Sequence, residues 1–381
     1  MENLLLNLVR LAANGAAPEK EDSLFAALSG LDEKAWHALF EAANTQGVAA
    51  FIWDAMEPAI NAGKLAMPKE LMLQWAGLSM GYEQRYLKYT LSIGKLASLL
   101  ATEGIKMMIL KGYAASLDWP VPAHRPSGDI DIWNFGEQQR ADALVASKGG
   151  KVDDSHHHHT VFHIGGFMVE NHYDFINVYA HRSSAQIEKK LKELARADAA
   201  TAEVPCCTDG SRMAKVYLPP VQFNALFLIV HLAAHFGGEE IHLRQVLDWA
   251  FFVKKYGSQI DWAELQADCR HWNKIQLLDS INAICADYLG FGAADFPVSW
   301  RGTRDEAAGS ALAKRVLGEI LEPEFKEPVP HGAGLLKSFA FRWRRWRANS
   351  WKNRMVYPEG ELATFLRQVW SHLLKPKSIY A

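Results

Sequence analysis

The chain has 381 residues, 49% of them apolar and 22% charged, and a formal net charge of −2. That is ordinary globular composition, long enough for one large domain or two to three smaller ones with real cores. It excludes a whole-protein field that would draw the chain to nucleic acid or anionic lipid, so any basic surface has to be local.

The four cysteines, Cys206, Cys207, Cys269 and Cys285, have no CxxC spacing. They make neither a disulfide framework nor a zinc ribbon, and they fit a reducing, cytoplasmic setting. Thirteen Trp point to a large aromatic core or to aromatic-lined grooves.

Leu4, Leu5, Leu8 and Leu11 fall at helical spacing, and Glu2 stands where a secretory signal needs a basic residue. The chain is therefore expected to start on a packed amphipathic helix rather than a leader. Residues 1–98 read as helical throughout. Leu24, Phe25, Leu28 and Leu31 repeat at helical spacing with Asp22 and Ser23 as caps, and a long helix runs from about 70 to 103.

The pattern changes at Ile105. Residues 105–110 form a short apolar strand, Lys111-Gly112 opens a helix-like segment to Leu117, and Pro120, Pro122 and Pro126 mark an irregular loop. Residues 128–133 alternate acid and apolar, the period of a strand, and a helix follows to Lys148. Strands at 157–164 and 167–174 flank Gly165-Gly166, a hairpin signal.

Helices return from about 184, with a loop at 201–211. The apolar helix at 221–236 is too short and too polar to span a membrane. Further helices are expected at 241–256, 261–289, 304–321, 335–352 and 359–374, with a loop at 322–334. The expected class is α+β: a helical N-terminal region (1–98), a small mixed-sheet core (99–183) and a helical C-terminal region (184–381).

Asp129 and Asp131 are two apart on the acidic strand, so their carboxylates project from one face. Two such groups repel unless a cation or proton sits between them. Hard oxygen donors suit Mg²⁺, which completes its shell with water and phosphate oxygens. A lone DxD is also common on exposed strands, but here it directly follows His124–Gly128, and the Lys111-Gly112 turn lies upstream. That turn is expected to aim backbone N–H groups at a phosphate. Glu170 shares a strand face with Met168 and His172. If that strand lies beside the acidic one, Glu170 joins the aspartates as a third metal ligand or as a proton acceptor.

The series Ile109–Gly112, His124–Ile132 and Val169-Glu170-x-His172 resembles the uncharacterised bacterial nucleotidyltransferase family of the DNA polymerase β-like superfamily. That superfamily carries a Gly motif at a helix start, a DxD strand and a third acid on a later strand. The family is similar over most of the chain. It has a helical region before the motif, and a later His-x3-His helix followed by Arg and Asp, here His231, His235, Arg244 and Asp248.

The resemblance implies a polymerase β-like core that moves a nucleoside monophosphate from an NTP to an acceptor hydroxyl on a small molecule, protein or RNA. It implies a metal centre at Asp129, Asp131 and Glu170, with two Mg²⁺ ions and Mn²⁺ as the substitute. Nucleotide contacts would come from Lys111, Gly112, Arg125, Ser127 and Gly128. The Gly motif reads Lys111-Gly112-Tyr113 rather than Gly-Ser or Gly-Gly, so the phosphate-contacting Ser is absent. The competing reading is a catalytically inactive module of the same fold that binds nucleotide or a partner protein.

Further features bear on function. His156–His159 is a run of four histidines; on a strand only alternate residues share a face, so the four are not ligands to one metal. His231 and His235 have zinc-ligand spacing but lack the Glu of HExxH, which makes a zinc protein the weakest reading and buried histidines lining the cleft the preferred one. Arg125 suits either a phosphate contact or a structural ion pair, and Arg244 with Asp248 reads as a further i, i+4 pair.

Residues 337–354 are basic and aromatic with no acid. A nucleic-acid or membrane surface is the less favoured reading. The preferred one is an amphipathic helix with Phe339, Trp343 and Trp346 packed inward.

Overall fold

The computed structural model describes residues 2–15, 22–179, 181–238, 240–325 and 335–359. Four helices open the chain: α1 (Glu2–Asn14), α2 (Asp22–Ser29), α3 (Glu33–Thr45) and α4 (Ala49–Asn61). Asp32 caps α3 by accepting a hydrogen bond from Ala35 N at 2.7 Å.

The long α5 (Lys69–Ala101) follows. It has no single apolar stripe because its two halves serve different cores. Leu71 and Trp75 pack into the helical core, whereas Tyr89, Ile93, Leu96 and Leu100 pack on the sheet.

The strands are β1 (Met108–Ile109), β2 (Ile130–Trp133), β3 (His159–Ile164), β4 (Phe167–His172), β5 (Thr201–Pro205) and β6 (Met213–Tyr217). They form one mixed sheet in the order β3-β4-β2-β1-β6-β5. β2 is antiparallel to β1 and parallel to β4, with Asp131 opposite Glu170 in register. Gly165 and Gly166 turn the β3–β4 hairpin, both at positive φ. One sheet face packs Ile109, Ile130, Ile132 and Val169 against α5 and α7 (Gln138–Ser147). At Gly94 the helix comes so close that a Cβ would lie 2.1 Å from Pro205 O.

The expected loop at 201–211 is corrected: most of it is the β5–β6 hairpin, and the sheet runs on to Tyr217. In β6, Ala214 and Val216 are buried between the exposed Met213 and Lys215, the period of a half-buried strand. Richness in Thr, Pro and Cys masked that period. Pro205 is tolerated because β5 is an edge strand.

The remaining helices are α6 (Lys111–Ser116), described with the site below, and α8 (Ser184–Leu194), α9 (Val221–Gly238), α10 (Leu243–Tyr256), α11 (Trp262–His271), α12 (Ile275–Ala283), α13 (Glu306–Leu321), α14 (Leu335–Ala348) and α15 (Ser350–Val356). The single helix expected at 261–289 is broken at Asn273, which sits at φ +58, and ends in a π-helical turn at 284–288. The expected helix at 335–352 divides into α14 and α15. The expected helix at 359–374 and most of the loop at 322–334 lie outside the described residues.

α9 is longer than expected. It reaches the length and apolarity of a membrane span, but 67% of it is buried inside the protein as a core helix. The tryptophans chiefly build the core, with Trp36, Trp75 and Trp249 fully buried. Trp343 departs from its expected inward packing. It is 48% exposed on the solvent side of α14, with Trp346 5.0 Å away. Phe339 lies outside the described side chains.

Candidate active site

The site forms where β2 and β4 run side by side. Because they are parallel neighbours in register, Asp131 and Glu170 face each other across one backbone spacing. His172, two residues on and on the same face of β4, places Nε2 2.9 Å from Asp131 Oδ1 and 3.5 Å from Glu170 Oε2. Its Nδ1 lies 3.2 Å from Asp174 O, which orients the ring. Ligand atoms of Asp131, Glu170 and His172 lie within 4.8 Å of one another.

Asp129 lines the same cleft but stands outside this tight group. It precedes β2 by one residue, so the pleat does not register it against β4. Two carboxylates and an imidazole whose far nitrogen faces a carbonyl are a donor set that fits a divalent cation.

Lys111 closes the site from below. Its backbone sits at φ +40, turning β1 sharply into the six-residue α6 (Lys111–Ser116) and sending Nζ to Asp131 Oδ1 at 2.7 Å. Burial alone would lower the Lys111 pKa, but Asp131, Glu170 and Asp129 outweigh it and raise it. His172 follows the same balance: burial lowers it, and Asp131 and Glu170 raise it further. Burial would raise Asp131, yet Lys111 and His172 hold its carboxyl well below the usual range. Asp129 is raised, by burial first and then by the neighbouring Asp131 charge.

Gly112 has a steric reason to be glycine. A Cβ there would lie 2.7 Å from Tyr89 Oη, which donates a 2.7 Å hydrogen bond to Asp129 O. Gly112→Ala is expected to cost about 1–3 kcal/mol through overpacking and to displace Asp129. A denaturant melt of Gly112→Ala against Gly112→Ala/Tyr89→Phe checks this; the double variant should recover most of the loss.

The loop before Asp129 is braced by the N-terminal helices. His124 is held between Asp54 and Glu83, at 2.8 and 3.1 Å. Arg85 Nε donates to Ser127 O at 2.8 Å. Ser127, expected at the nucleotide, therefore gives its carbonyl to α5 and is not among the lining residues, whereas Gly128 is.

Arg125 is also at the cleft, but its guanidinium is committed. Nε and Nη2 donate to Asp248 at 2.7 and 2.8 Å, and Nη1 donates to Pro126 O. Trp119 Nε1 donates to the same carboxylate at 2.9 Å. The expected Arg244–Asp248 pair is thus replaced by Arg125–Asp248. Proximity along α10 loses to a bidentate fork arriving from the loop. Arg244 is left at the cleft with Nε buried and without a hydrogen-bond partner.

α9 and α10 form the opposite wall of a cleft of about 500 Å³. His231 and His235 both line it, their ring centres 4.4 Å apart. Burial, then the Lys111 charge, pushes the His231 pKa well below its ordinary value. Among the described residues no third ligating side chain joins these two, so the zinc reading of this helix lacks a coordination set.

His158 and His159, which strict alternation set apart, both line the cleft. β3 begins only at His159, and residues 156–158 form a bend before it. Asp153, pairing back onto Val161, and the Ser155 N to Asp153 Oδ1 turn announce that bend. His163 is exposed and away from the site.

A model of the uncharacterised nucleotidyltransferase family matches residues 32–290, more than half of the chain. The chain belongs to that family. The matched span takes in the bracing helices, the acidic strands and the α9–α10 wall together. Membership assigns the protein to the nucleotidyltransferases in general, and the α+β fold accords with it. No curated protein and no solved structure gives a significant match.

Proposed function

We propose that the protein transfers a nucleoside monophosphate from an NTP to an acceptor hydroxyl on a small molecule, protein or RNA. One observation carries the reading: Asp131 and Glu170 are paired in register on parallel strands, facing a cleft that Lys111, Gly112 and Gly128 also line. Asp129, Asp131 and Glu170 would hold Mg²⁺, two ions on the family pattern, or Mn²⁺. An ion held by these residues would neutralise phosphoryl oxygens and acidify the attacking hydroxyl.

The acceptor oxygen bonds to the α-phosphorus as the bond to pyrophosphate breaks. Glu170 is the residue positioned to take the hydroxyl proton. Lys111 and Arg244 face the polyphosphate, and the two glycines let it approach the backbone. The cysteine usage favours a cytoplasmic setting.

The test is release of pyrophosphate from each α-labelled NTP in the presence of candidate acceptors. Label should move to an acceptor with wild type and not with Glu170→Gln. Pyrophosphate release unchanged in Glu170→Gln would remove that residue from the chemistry. Arg244→Ala should weaken NTP binding about 10- to 100-fold, the loss of a charge-assisted contact. Fluorescence titration with a labelled NTP measures it.

The 2.7 Å Lys111–Asp131 ion pair favours a second reading. There Lys111 takes the cation's place, and the protein binds nucleotide or a partner without turnover. Metal-independent NTP binding would select that reading.

A further inference from the structure

Two histidines of the cleft wall have no role in the transfer chemistry. His158 and His159 come together with His172, and one ring nitrogen from each lies within 4.8 Å of the others. The ring centres are 4.4, 5.5 and 5.2 Å apart. Three imidazoles on one tetrahedral ion, with metal–nitrogen bonds of about 2.1 Å, have ring centres about 5 Å apart.

Both ring nitrogens of His159 and Nδ1 of His158 are buried without a hydrogen-bond partner. His159 is only 6% exposed. Buried polar atoms are rarely left so, because the desolvation is uncompensated. Glu170 Oε2 lies 3.8 Å from His159 Nδ1 and 3.5 Å from His172 Nε2. Neighbouring donors on a tetrahedral ion of that size are separated by about 3.4 Å.

We infer that His158, His159 and His172 form a binding site for a transition-metal dication of the Zn²⁺ class, with Glu170 as the fourth donor. Imidazole nitrogen selects such ions over Mg²⁺, which requires oxygen. The site flanks the Asp131 carboxylate and shares His172 and Glu170 with it. The inference does not depend on nucleotidyl transfer.

The experiment uses full-length untagged protein, without nucleotide, titrated with Zn²⁺ and separately with Co²⁺. Zinc content is measured by mass spectrometry and cobalt geometry by visible absorption. Wild type should hold one equivalent of Zn²⁺ and give a tetrahedral Co²⁺ spectrum. His159→Ala should lose affinity by more than about tenfold, with its metal-free melt showing that it folds. His158→Ala, altered on the bend, serves if His159→Ala does not fold.

His156→Ala/His157→Ala separates a built site from adventitious binding by the histidine run. That variant should bind as wild type does. No stoichiometric Zn²⁺ in wild type, or binding lost in His156→Ala/His157→Ala but kept in His159→Ala, overturns the inference. Because nucleotide is absent, failure of NTP transfer leaves this result untouched.

Discussion

Asp131→Asn should abolish metal-dependent nucleotide binding, lower transfer by at least about 10³-fold and destabilise the protein as well. The carboxylate is 2% exposed and meets both Lys111 Nζ and His172 Nε2. An amide keeps the shape and removes the charge. The ammonium of Lys111, whose side chain is 17% exposed, then lies opposite a neutral group. Removing one partner of a buried pair costs about 3–5 kcal/mol. The two effects separate in Lys111→Met/Asp131→Asn, which should recover most of the stability and none of the activity. Denaturant melts and a transfer assay on both variants check this. Full stability in the single variant would mean that the ion pair contributes nothing.

Asp248→Ala is expected to be the most disruptive change outside the carboxylate site. Asp248 receives two guanidinium hydrogen bonds from Arg125 and one from the Trp119 indole. All three side chains are buried. Truncation strands the Arg125 charge, again at about 3–5 kcal/mol, a fall in Tm of roughly 4–6 °C for a chain of this length. Arg125 belongs to the loop that delivers Asp129, so nucleotide binding should weaken too. Arg125→Met/Asp248→Leu should melt close to wild type, because an apolar pair of similar volume is often neutral or better. Differential scanning calorimetry on the three proteins decides it. A melt of Asp248→Ala equal to wild type would show that Arg125 finds another partner.

Much of this was legible in the amino-acid order, for local reasons. The acid–apolar alternation around Asp129 and Asp131 and the Gly165-Gly166 turn are short-range signals. They yield β2 and the β3–β4 hairpin nearly in place. What escaped depends on contacts between distant segments. Arg125 and Asp248 are 123 positions apart, and no spacing rule joins them. His172 enters the tight ligand group ahead of Asp129 because strand pairing, not sequence adjacency, decides which side chains converge. Strict alternation kept His158 and His159 off one face because it assumed a strand where the chain bends. The β5–β6 hairpin was hidden by loop-like composition, although Ala214 and Val216 alternate correctly. The bracing of the site by Asp54, Glu83, Arg85 and Tyr89 leaves no mark in the sequence.

The central claim is that these carboxylates bind metal and nucleotide together. Isothermal calorimetry of each NTP with Mg²⁺ or Mn²⁺, on wild type and on Asp129→Asn/Asp131→Asn, tests it directly. Metal-dependent binding in wild type that is lost in the double variant is the predicted result. No binding of any NTP to folded wild type at millimolar concentration, or equal binding in the variant, would contradict it.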